Sequence, residues 1–402
     1  MKRLKWILPV YMSVVFGFLP MLNSVVQAEG TSYGGYVAAE ARWFIESAQH
    51  TGQSNDDSYS YVLRPELRYE LDQHRFTLVP FYRYDNIDDE RTHFDLREAH
   101  WRWSQGDQEV LIGVNHVFWG VMESRHLVDI INQTDLVEDP DGEDKLGQPM
   151  LQYVLLKEWG TLDFYILPGF RERRFPGVEG RLRTALPVDW SLAQYESSDE
   201  DDHVDLALRY SHVLGDWDIG LGYFNGTSRE PRFVLNNTAT RLLPVYDLIN
   251  QASLDLQLTD EAWLWKAEAI WREGQGNSFA AVSAGFEYSF YQLIGSSKDL
   301  GVILEYHYDG RDGTAAPTFY DYDIFIGTRL AFNDSEDTEI LAGVSVDNSG
   351  DDRFFNLEAE TRVAESIKVE LRMRLFDKPE QGGAVEAIER DDYIQLQARY
   401  YL

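Results

Sequence analysis

Apolar and polar residues alternate with a period of two along most of this chain. In 59–71 the apolar positions are Tyr59, Tyr61, Leu63, Pro65, Leu67, Tyr69 and Leu71, and polar residues such as Arg64, Glu66, Arg68 and Glu70 stand between them. Successive side chains of a β-strand point to opposite faces, so one face of this segment is suited to lipid and the other to water. The run exceeds the ~5–6 residues of a typical strand and matches the ~9–11 needed to cross a bilayer.

The same alternation predicts an all-β fold, a transmembrane antiparallel β-barrel of about 18 strands with long extracellular loops; sixteen strands is the alternative count. The strands are predicted near 33–46, 58–72, 74–86, 92–104, 108–118, 149–158, 160–169, 203–213, 216–226, 249–259, 261–273, 278–291, 299–309, 319–333, 337–348, 352–364, 365–377 and 390–402. The segment 227–248 is the weakest part of this interpretation, and an additional hairpin inside or above the barrel is the alternative there. A change of apolar parity between Leu96 and Ala99 predicts a β-bulge.

The predicted connections alternate between short and long. Every second connection is a short turn, and the others include the long segments 47–57, 119–148, 170–202, 227–248, 310–318 and 378–389. Bacterial outer-membrane barrels have short periplasmic turns and long external loops. A miscounted strand would break the alternation, so it supports the count of 18.

The first residues predict export. Lys2, Arg3 and Lys5 precede an apolar stretch that reaches about Leu22, and Val26-Gln27-Ala28 offers small residues at a cleavage site. We therefore predict a signal peptide at 1–28 and a barrel at 29–402 in the outer membrane of a Gram-negative bacterium. No later apolar stretch has the length of a transmembrane helix.

Composition changes the picture in two ways. With 36 Lys+Arg against 68 Asp+Glu, the formal net charge is −32, which argues against nucleic acid as a partner. The absence of cysteine and the 23 Tyr and 11 Trp suit a barrel sealed by hydrogen bonds, with rings at the membrane interfaces. The expected partners are outer-membrane lipid, lipopolysaccharide and small solutes. The terminal strand ending at Leu402 resembles the signal read by the barrel-assembly machinery during insertion.

The segment 119–148 is the first candidate for function, as a constriction loop. It predicts a short helix with Met122, Leu127, Ile130 and Ile131 on one side, and that apolar side needs a surface to bury against. Folding into the lumen would provide one and would narrow the pore; packing across the barrel mouth is the alternative. The candidate residues are Trp119, Glu123, Arg125, Asp129, Asn132 and Asp135.

The long charged loop 170–202 is the second candidate. It begins with an arginine group that stands out in an acidic chain: Arg171, Arg173, Arg174, Arg181 and Arg183. Facing the lumen, these residues would create a transverse field or bind an anionic group in a bidentate manner. Ion pairing with neighbouring carboxylates is an equally good interpretation.

A metal site and catalysis have weaker support. Carboxylates at Asp139, Asp141, Glu143 and Asp144 could hold calcium, although their spacing does not fit an EF-hand and a solvated acidic loop is the simpler interpretation. No other cofactor is expected. The chain has no nucleophile elbow, HExxH motif or cysteine, and His126 near Ser124 and Asp129 is weak evidence for a triad, so no catalytic residue is predicted.

Four short motifs between 119 and 170 carry a resemblance. They are Trp119-Gly120, Asp129 to Asp135 (DIINQTD), Gly147 to Met150 (GQPM) and Leu167 to Phe170 (LPGF). In these motifs the chain resembles a group of uncharacterised proteobacterial outer-membrane barrels, and more distantly porin-like and alginate-export-type barrels. The resemblance implies an outer-membrane location and marks the two loops as distinctive, but it implies no substrate.

The sequence thus predicts a non-enzymatic, porin-like channel for passive or selective passage of small polar or amphiphilic solutes. The alternative is a closed barrel whose acidic loops bind cations, lipopolysaccharide or a partner.

Overall fold

The structure is a computed structural model that describes residues 30–348, 352–377 and 385–402, so the predicted signal peptide lies outside the described residues. The strands, numbered in chain order, are β1 Thr31–Phe44, β2 Ser58–Leu71, β3 His74–Asp85, β4 His93–Gln105, β5 Gln108–Asn115, β6 Gln148–Lys157, β7 Gly160–Pro168, β8 Gln194–Tyr195, β9 Val204–Leu214, β10 Trp217–Thr227, β11 Arg232–Leu235, β12 Leu242–Tyr246, β13 Leu248–Asp260, β14 Trp263–Glu273, β15 Phe279–Phe290, β16 Asp299–Asp309, β17 Tyr322–Ala331, β18 Glu339–Asp347, β19 Arg353–Ala364, β20 Ile367–Asp377 and β21 Tyr393–Tyr401. Short 3₁₀ helices lie at Trp190–Leu192, Glu200–Asp202, Leu293–Gly295 and Val385–Ile388.

Eighteen of these strands form one closed antiparallel sheet. Each strand pairs with the next barrel strand along the chain, and β21 returns to pair with β1 from Tyr36↔Tyr401 to Phe44↔Tyr393. The predicted fold class and all 18 predicted strands are confirmed, with bounds that differ by a few residues. Because the sheet is closed, the backbone N–H and C=O groups of every strand find partners in neighbouring strands, as the hydrocarbon core of a bilayer requires.

The remaining three strands form a small separate sheet. β11 and β12 make an antiparallel hairpin, and β8 adds to β12 in parallel through Val245↔Gln194 and Tyr246↔Tyr195. The extra hairpin considered for 227–248 is therefore present. It belongs to the long-loop end of the barrel, where the loop between β7 and β9 meets the loop between β10 and β13.

The predicted bulge in β4 is also present. Val79 pairs with Glu98 and Pro80 pairs with Leu96, so Arg97 is the extra residue. A bulge re-aims side chains, and here the Arg97 guanidinium points inward, where it is buried.

The two faces of the barrel wall follow the period-two pattern. On β14, Trp263, Trp265 and Trp271 are exposed on the outside, while Glu268 and Arg272 are buried on the inside. Exposed aromatic rings concentrate near both ends of the strands: Tyr59, Tyr84, Phe94, Tyr223, Trp271 and Tyr322 at one end, and Tyr33, Tyr69, Phe76, Trp159, Trp217 and Trp263 at the other. Two aromatic girdles flanking an apolar band are typical of barrels in a bilayer.

The connections differ strongly between the two ends of the barrel. At the short-turn end, β2 passes to β3, β6 to β7 and β9 to β10 through tight turns. At the long-loop end, residues 116–147, 169–203 and 228–247 link strands, as the alternation of connections predicts. No helix among the described residues is long and apolar enough to span a membrane.

Candidate functional site

Residues 116–147, here called the lumen loop, connect β5 to β6 and fold into the barrel. Its first arm, residues 121–128, runs to the inner faces of β14 and β16. The Glu268 carboxylate accepts the backbone N–H groups of Val121 (2.6 Å), Met122 (3.1 Å) and Val128 (3.1 Å). The first arm is therefore held by a carboxylate of the wall.

Glu305 on β16 acts in the same way one step further along the first arm. Its carboxylate accepts the N–H groups of Glu123 (2.7 Å) and Ser124 (2.9 Å) and the Ser124 hydroxyl (2.6 Å). The Ser124 Oγ also lies 2.8 Å from Nε2 of His307. Ser124 and His307 thus serve to attach the loop, and His126 instead lies beside Glu143 at 3.4 Å.

The second arm, residues 135–141, reaches the opposite wall with the charges reversed. Glu138 receives two hydrogen bonds from Arg83 (2.7 and 2.6 Å), and Asp135 receives one from Arg97 (2.7 Å). These groups join a buried network in which Glu40 also binds Arg83 and Arg91. Loop carboxylates and wall arginines therefore seal this side of the lumen.

The predicted helix at the start of the loop is wrong, because residues 119–134 contain no helix. The backbone N–H groups that a helix would direct to its own carbonyls are donated to Glu268 and Glu305 instead. The four residues of its expected apolar side, Met122, Leu127, Ile130 and Ile131, are nevertheless buried. Leu127, Ile130 and Ile131 join an apolar cluster with Tyr165, Phe224 and Ile270 of the wall. The loop lies inside the lumen, not across its mouth.

The end of the lumen loop passes very close to the bulged strand. A Cβ added to Gly147 would lie 2.2 Å from the carbonyl oxygen of Leu96 and 2.5 Å from that of Arg97. Because these distances leave no room for a Cβ atom, glycine is required at this position of the GQPM motif.

The six predicted loop residues divide into two groups. Glu123, Arg125, Asp129 and Asn132 line a cavity in the lumen, whereas Trp119 and Asp135 are buried away from it. Glu123 pairs with Arg329 (2.6 Å) and Arg125 with Asp309 (2.5 Å). Their role in solute passage stays a prediction.

The five predicted arginines do not converge on one site. Arg171 pairs with Asp95 (2.7 Å), Arg181 pairs with Asp391 (2.5 Å), and Arg183 donates to backbone carbonyls. Arg174 stacks over Trp190. Arg173 is the member of the group that lines the cavity.

The cavity measures about 560 Å³ and follows the inner faces of β17 to β20. It runs from Asp323, Ser345 and Phe376 near the long-loop end to Glu339 and Arg399 near the short-turn end. Acidic lining residues are Glu123, Asp129, Asp141, Glu143, Glu230, Asp323, Glu339, Asp352, Glu358, Glu360 and Glu370, and basic ones are Arg125, Lys145, Arg173, Arg229, Arg272, Arg311, Arg329, Arg353, Arg372 and Arg399. The lining is close to charge balance, although the chain as a whole is strongly acidic.

Several residues that hold the lumen loop or line the cavity were not predicted from the sequence. Glu268, Arg272 and Glu305 occupy inward positions of the alternating strands, so their direction was predictable, but their contact with a distant loop was not. Arg229 and Glu230 follow β10, in the segment where the strand pattern is weakest.

Three of the four acidic residues predicted to bind calcium, Asp139, Asp141 and Glu143, have basic protein partners. Asp139 accepts from Arg372 (2.9 Å), and Asp141 accepts from Arg374 (3.0 Å). Burial raises the pKa of Asp139, but Arg374, Arg372 and Arg42 outweigh it and hold the pKa below its ordinary value. Burial, followed by the charge of Glu138, raises the pKa of Asp144 to about 6. The calcium site stays a prediction.

A different group of possible metal ligands lies between β4 and the second arm. Ligand atoms of His93, Asp135 and Glu138 lie within 4.8 Å of one another. Arg97 and Arg83 already neutralise the two carboxylates of that group. The arrangement therefore resembles a compensated ion-pair network more than a cation site.

Comparisons with known proteins returned similar barrels among solved structures. OprB of Pseudomonas putida is 9% identical, with a TM-score of 0.47 over 93% of this chain and 94% of that one. An engineered Rh. blastica porin is 12% identical, with a TM-score of 0.46 over 92% of this chain and 100% of that one. No protein-family model and no curated protein matches the sequence. The closed strand order, and not these similarities, establishes the barrel, and the motif-based resemblance stays a prediction.

Proposed function

We propose that this protein is an outer-membrane channel for small polar or amphiphilic solutes, narrowed by the lumen loop to a passage along β17–β20. The observation that carries the proposal is the one-sided placement of the loop. Its second arm fills the lumen beside β1–β4 and contacts β20 through Asp139 and Asp141, and the cavity follows β17–β20 from that contact over most of the strand length.

The outer wall supports a membrane location. The exposed rings lie in two girdles separated by the apolar faces of the strands, as a bilayer requires. Neither girdle would be stable as an extensive apolar surface in water.

The charges of the lining support selection by size and by local electrostatics. Acidic and basic side chains occur in nearly equal numbers in the lining of the cavity, so neither sign prevails. A lining of mixed sign replaces part of the hydration shell of polar solutes without trapping one ionic sign along its whole length. We therefore expect weak overall ion selectivity.

Conductance in planar bilayers tests the proposal. Deleting residues 122–145 should raise single-channel conductance, because it removes both arms. A matched deletion of 237–240, at the exposed tip of the hairpin between β11 and β12, should leave conductance unchanged. Equal conductance of the full chain and the 122–145 deletion, with both proteins folded by circular dichroism, would contradict the constriction.

A closed barrel is the second candidate, and one observation favours it. Both arms are fixed by buried charged groups, which makes spontaneous opening of the sealed side costly. Liposome swelling with sugars, amino acids and organic acids separates the two functions. A closed barrel gives no swelling with any solute, and a channel gives swelling that falls with solute size.

A further inference from the structure

Inward-facing apolar residues interrupt the polar lining of the cavity on one wall. Phe325, Leu341, Phe354 and Phe376 occupy lumen-facing positions on four adjacent strands, β17 to β20, and all line the cavity. The lumen face of a water-filled barrel is ordinarily polar. We call these residues, together with Phe319 of the loop 310–321, the apolar wall.

Packing accounts for part of the apolar wall. Phe376 is buried against Val385 and Ile388, and the ring of Phe354 stacks on it with centroids 5.3 Å apart. Phe325 lies over Gly327 and Gly343, where an added Cβ would meet its ring at 2.7 and 2.4 Å. Phe354 remains partly exposed and Phe319 is 50% exposed, so protein contacts leave apolar surface open to the cavity.

Guanidinium groups gather in the same cavity. Arg125 and Arg311 share Asp309, and Arg272 and Arg311 share Glu230. Arg173 adds a further guanidinium, and its Nε donates to the Gln133 side chain at 3.2 Å. Among the described residues, none of the ion pairs at this site involves Arg173. Within this group alone, four guanidiniums stand against the three carboxylates of Asp309, Glu230 and Asp323, although the cavity as a whole is close to charge balance.

The position of Arg173 suits an anion. Burial, together with Arg272 and Arg311, lowers its pKa, and Glu230 opposes that effect. The Arg173 guanidinium donates to the neutral side chain of Gln133, and none of the ion pairs described at this site involves it, so a carboxylate partner remains to be supplied by a ligand. A carboxylate can accept two parallel hydrogen bonds from such a guanidinium.

We propose that the cavity binds organic acids with an aromatic or other compact apolar body, the carboxylate on Arg173 and the body on the apolar wall. The inference rests on the proposed channel function and names the solute class that the passage favours. A cavity of about 560 Å³ lies within the range of sites for small organic ligands, which combine apolar walls with a few fixed polar groups. We expect tight binding to require both the carboxylate and the apolar body, because the two parts of the ligand contact different residues.

Equilibrium dialysis of the purified full-length protein in detergent tests binding separately from conduction. Labelled benzoate should bind at least about tenfold more tightly than acetate, which lacks the body, and than benzyl alcohol, which lacks the charge. Equal affinity for benzoate and acetate overturns the role of the apolar wall. Equal affinity for benzoate and benzyl alcohol, or undetectable benzoate binding, overturns the role of Arg173.

Two variants locate the site, and a third serves as the control. Arg173→Gln should weaken benzoate binding about tenfold, and Phe319→Ser should weaken benzoate binding but leave acetate unchanged. Arg241→Gln alters an exposed arginine outside the cavity, and its benzoate affinity should equal that of the parent. Benzoate binding that is unaffected by Arg173→Gln and Phe319→Ser overturns the proposal. Absence of conductance together with selective benzoate binding would refute the channel and leave the binding site standing.

Discussion

The two arms of the lumen loop are attached to the barrel by opposite arrangements of charge. In the first arm, wall carboxylates of Glu268 and Glu305 accept backbone N–H groups of the loop. In the second arm, loop carboxylates of Asp135 and Glu138 bind wall arginines. Backbone N–H groups are present in any sequence, whereas the second arm depends on particular loop side chains.

The surroundings of the two arms also differ. The second arm lies in a buried network with Glu40, Arg83 and Arg91, each at 5% or less side-chain exposure. The first arm borders the cavity along residues 123–127, whereas the second arm borders it only at Pro140 and Asp141. We infer that the second arm is a fixed plug and that the first arm defines the edge of the passage.

The largest effect is expected from removing a loop carboxylate of the second arm. Glu138→Ala leaves Arg83 buried with Glu40 as its remaining partner, and breaking a buried pair from one side costs about 3–5 kcal/mol. Urea unfolding in lipid vesicles measures the loss. The control is Glu70→Ala, which removes an exposed pair with Arg75 and should cost under about 1 kcal/mol. If the two variants lose the same unfolding free energy, the buried pairs of the second arm stabilise the protein no more than an exposed pair does, and the prediction fails.

A smaller effect on stability, with a larger effect on conduction, is expected in the first arm. Glu268 is buried and does not line the cavity, and Glu268→Ala removes the acceptor of three backbone N–H groups. These donors are uncharged and belong to a loop arm that can shift toward the adjacent cavity, so we expect a cost of about 1–3 kcal/mol. Because the arm is released, single-channel current should increase or fluctuate. If the single-channel current of Glu268→Ala has the size and the low noise of the parent current, Glu268 does not fix the first arm.

The smallest effect concerns pH and the Glu123 side chain of the first arm. Burial raises the pKa of Glu123 above its ordinary value of 4.5, and it outweighs the charge of Arg329, which lowers that pKa. The folded protein therefore binds this proton more tightly than the unfolded chain. The resulting stability is complete below pH 4.5 and is lost as pH rises through the raised value. Glu123→Gln should remove that component and gain less than about 1 kcal/mol at pH 8.

The sign of this pH effect distinguishes Glu123 of the first arm from Asp139 of the second arm. The pKa of Asp139 in the second arm is lowered, so its contribution is present above the ordinary value of 3.8 and is lost as pH falls below it. Unfolding free energies of Glu123→Gln and Asp139→Asn, measured from pH 3 to 8 against the parent, should deviate in opposite directions. If the unfolding free energies of both variants deviate from the parent with the same sign, the predicted difference between Glu123 and Asp139 is contradicted.

The sequence was sufficient for the barrel because its wall is governed by local alternation. Tyr59 and Leu63 face outward because their neighbours Ser60 and Val62 face inward, and a strand long enough to cross a bilayer has little freedom beyond that. The bulge at Arg97 was detectable for the same reason, as a break in that alternation.

The inside of the barrel was less predictable, since its contacts join residues far apart in sequence. Val121 and Glu268 are brought together by closure of the barrel, and neither carries a local signal of the other. The helix expected from Met122, Leu127 and Ile130 failed because wall carboxylates compete for its N–H groups. The grouping of Arg173 with Arg272 and Arg311 likewise depends on three separate segments.

Cysteine accessibility tests the central claim most directly, namely that one side of the lumen is sealed and the other is open. Ser60 and Ser345 are both buried inward-facing serines of the wall, and the chain has no native cysteine. Ser60 hydrogen-bonds to Asp85 on the sealed side, whereas Ser345 lines the cavity. A charged methanethiosulfonate reagent should reduce the bilayer current of Ser345→Cys and leave that of Ser60→Cys unchanged. Reaction at Ser60→Cys, or no reaction at Ser345→Cys, would contradict the account.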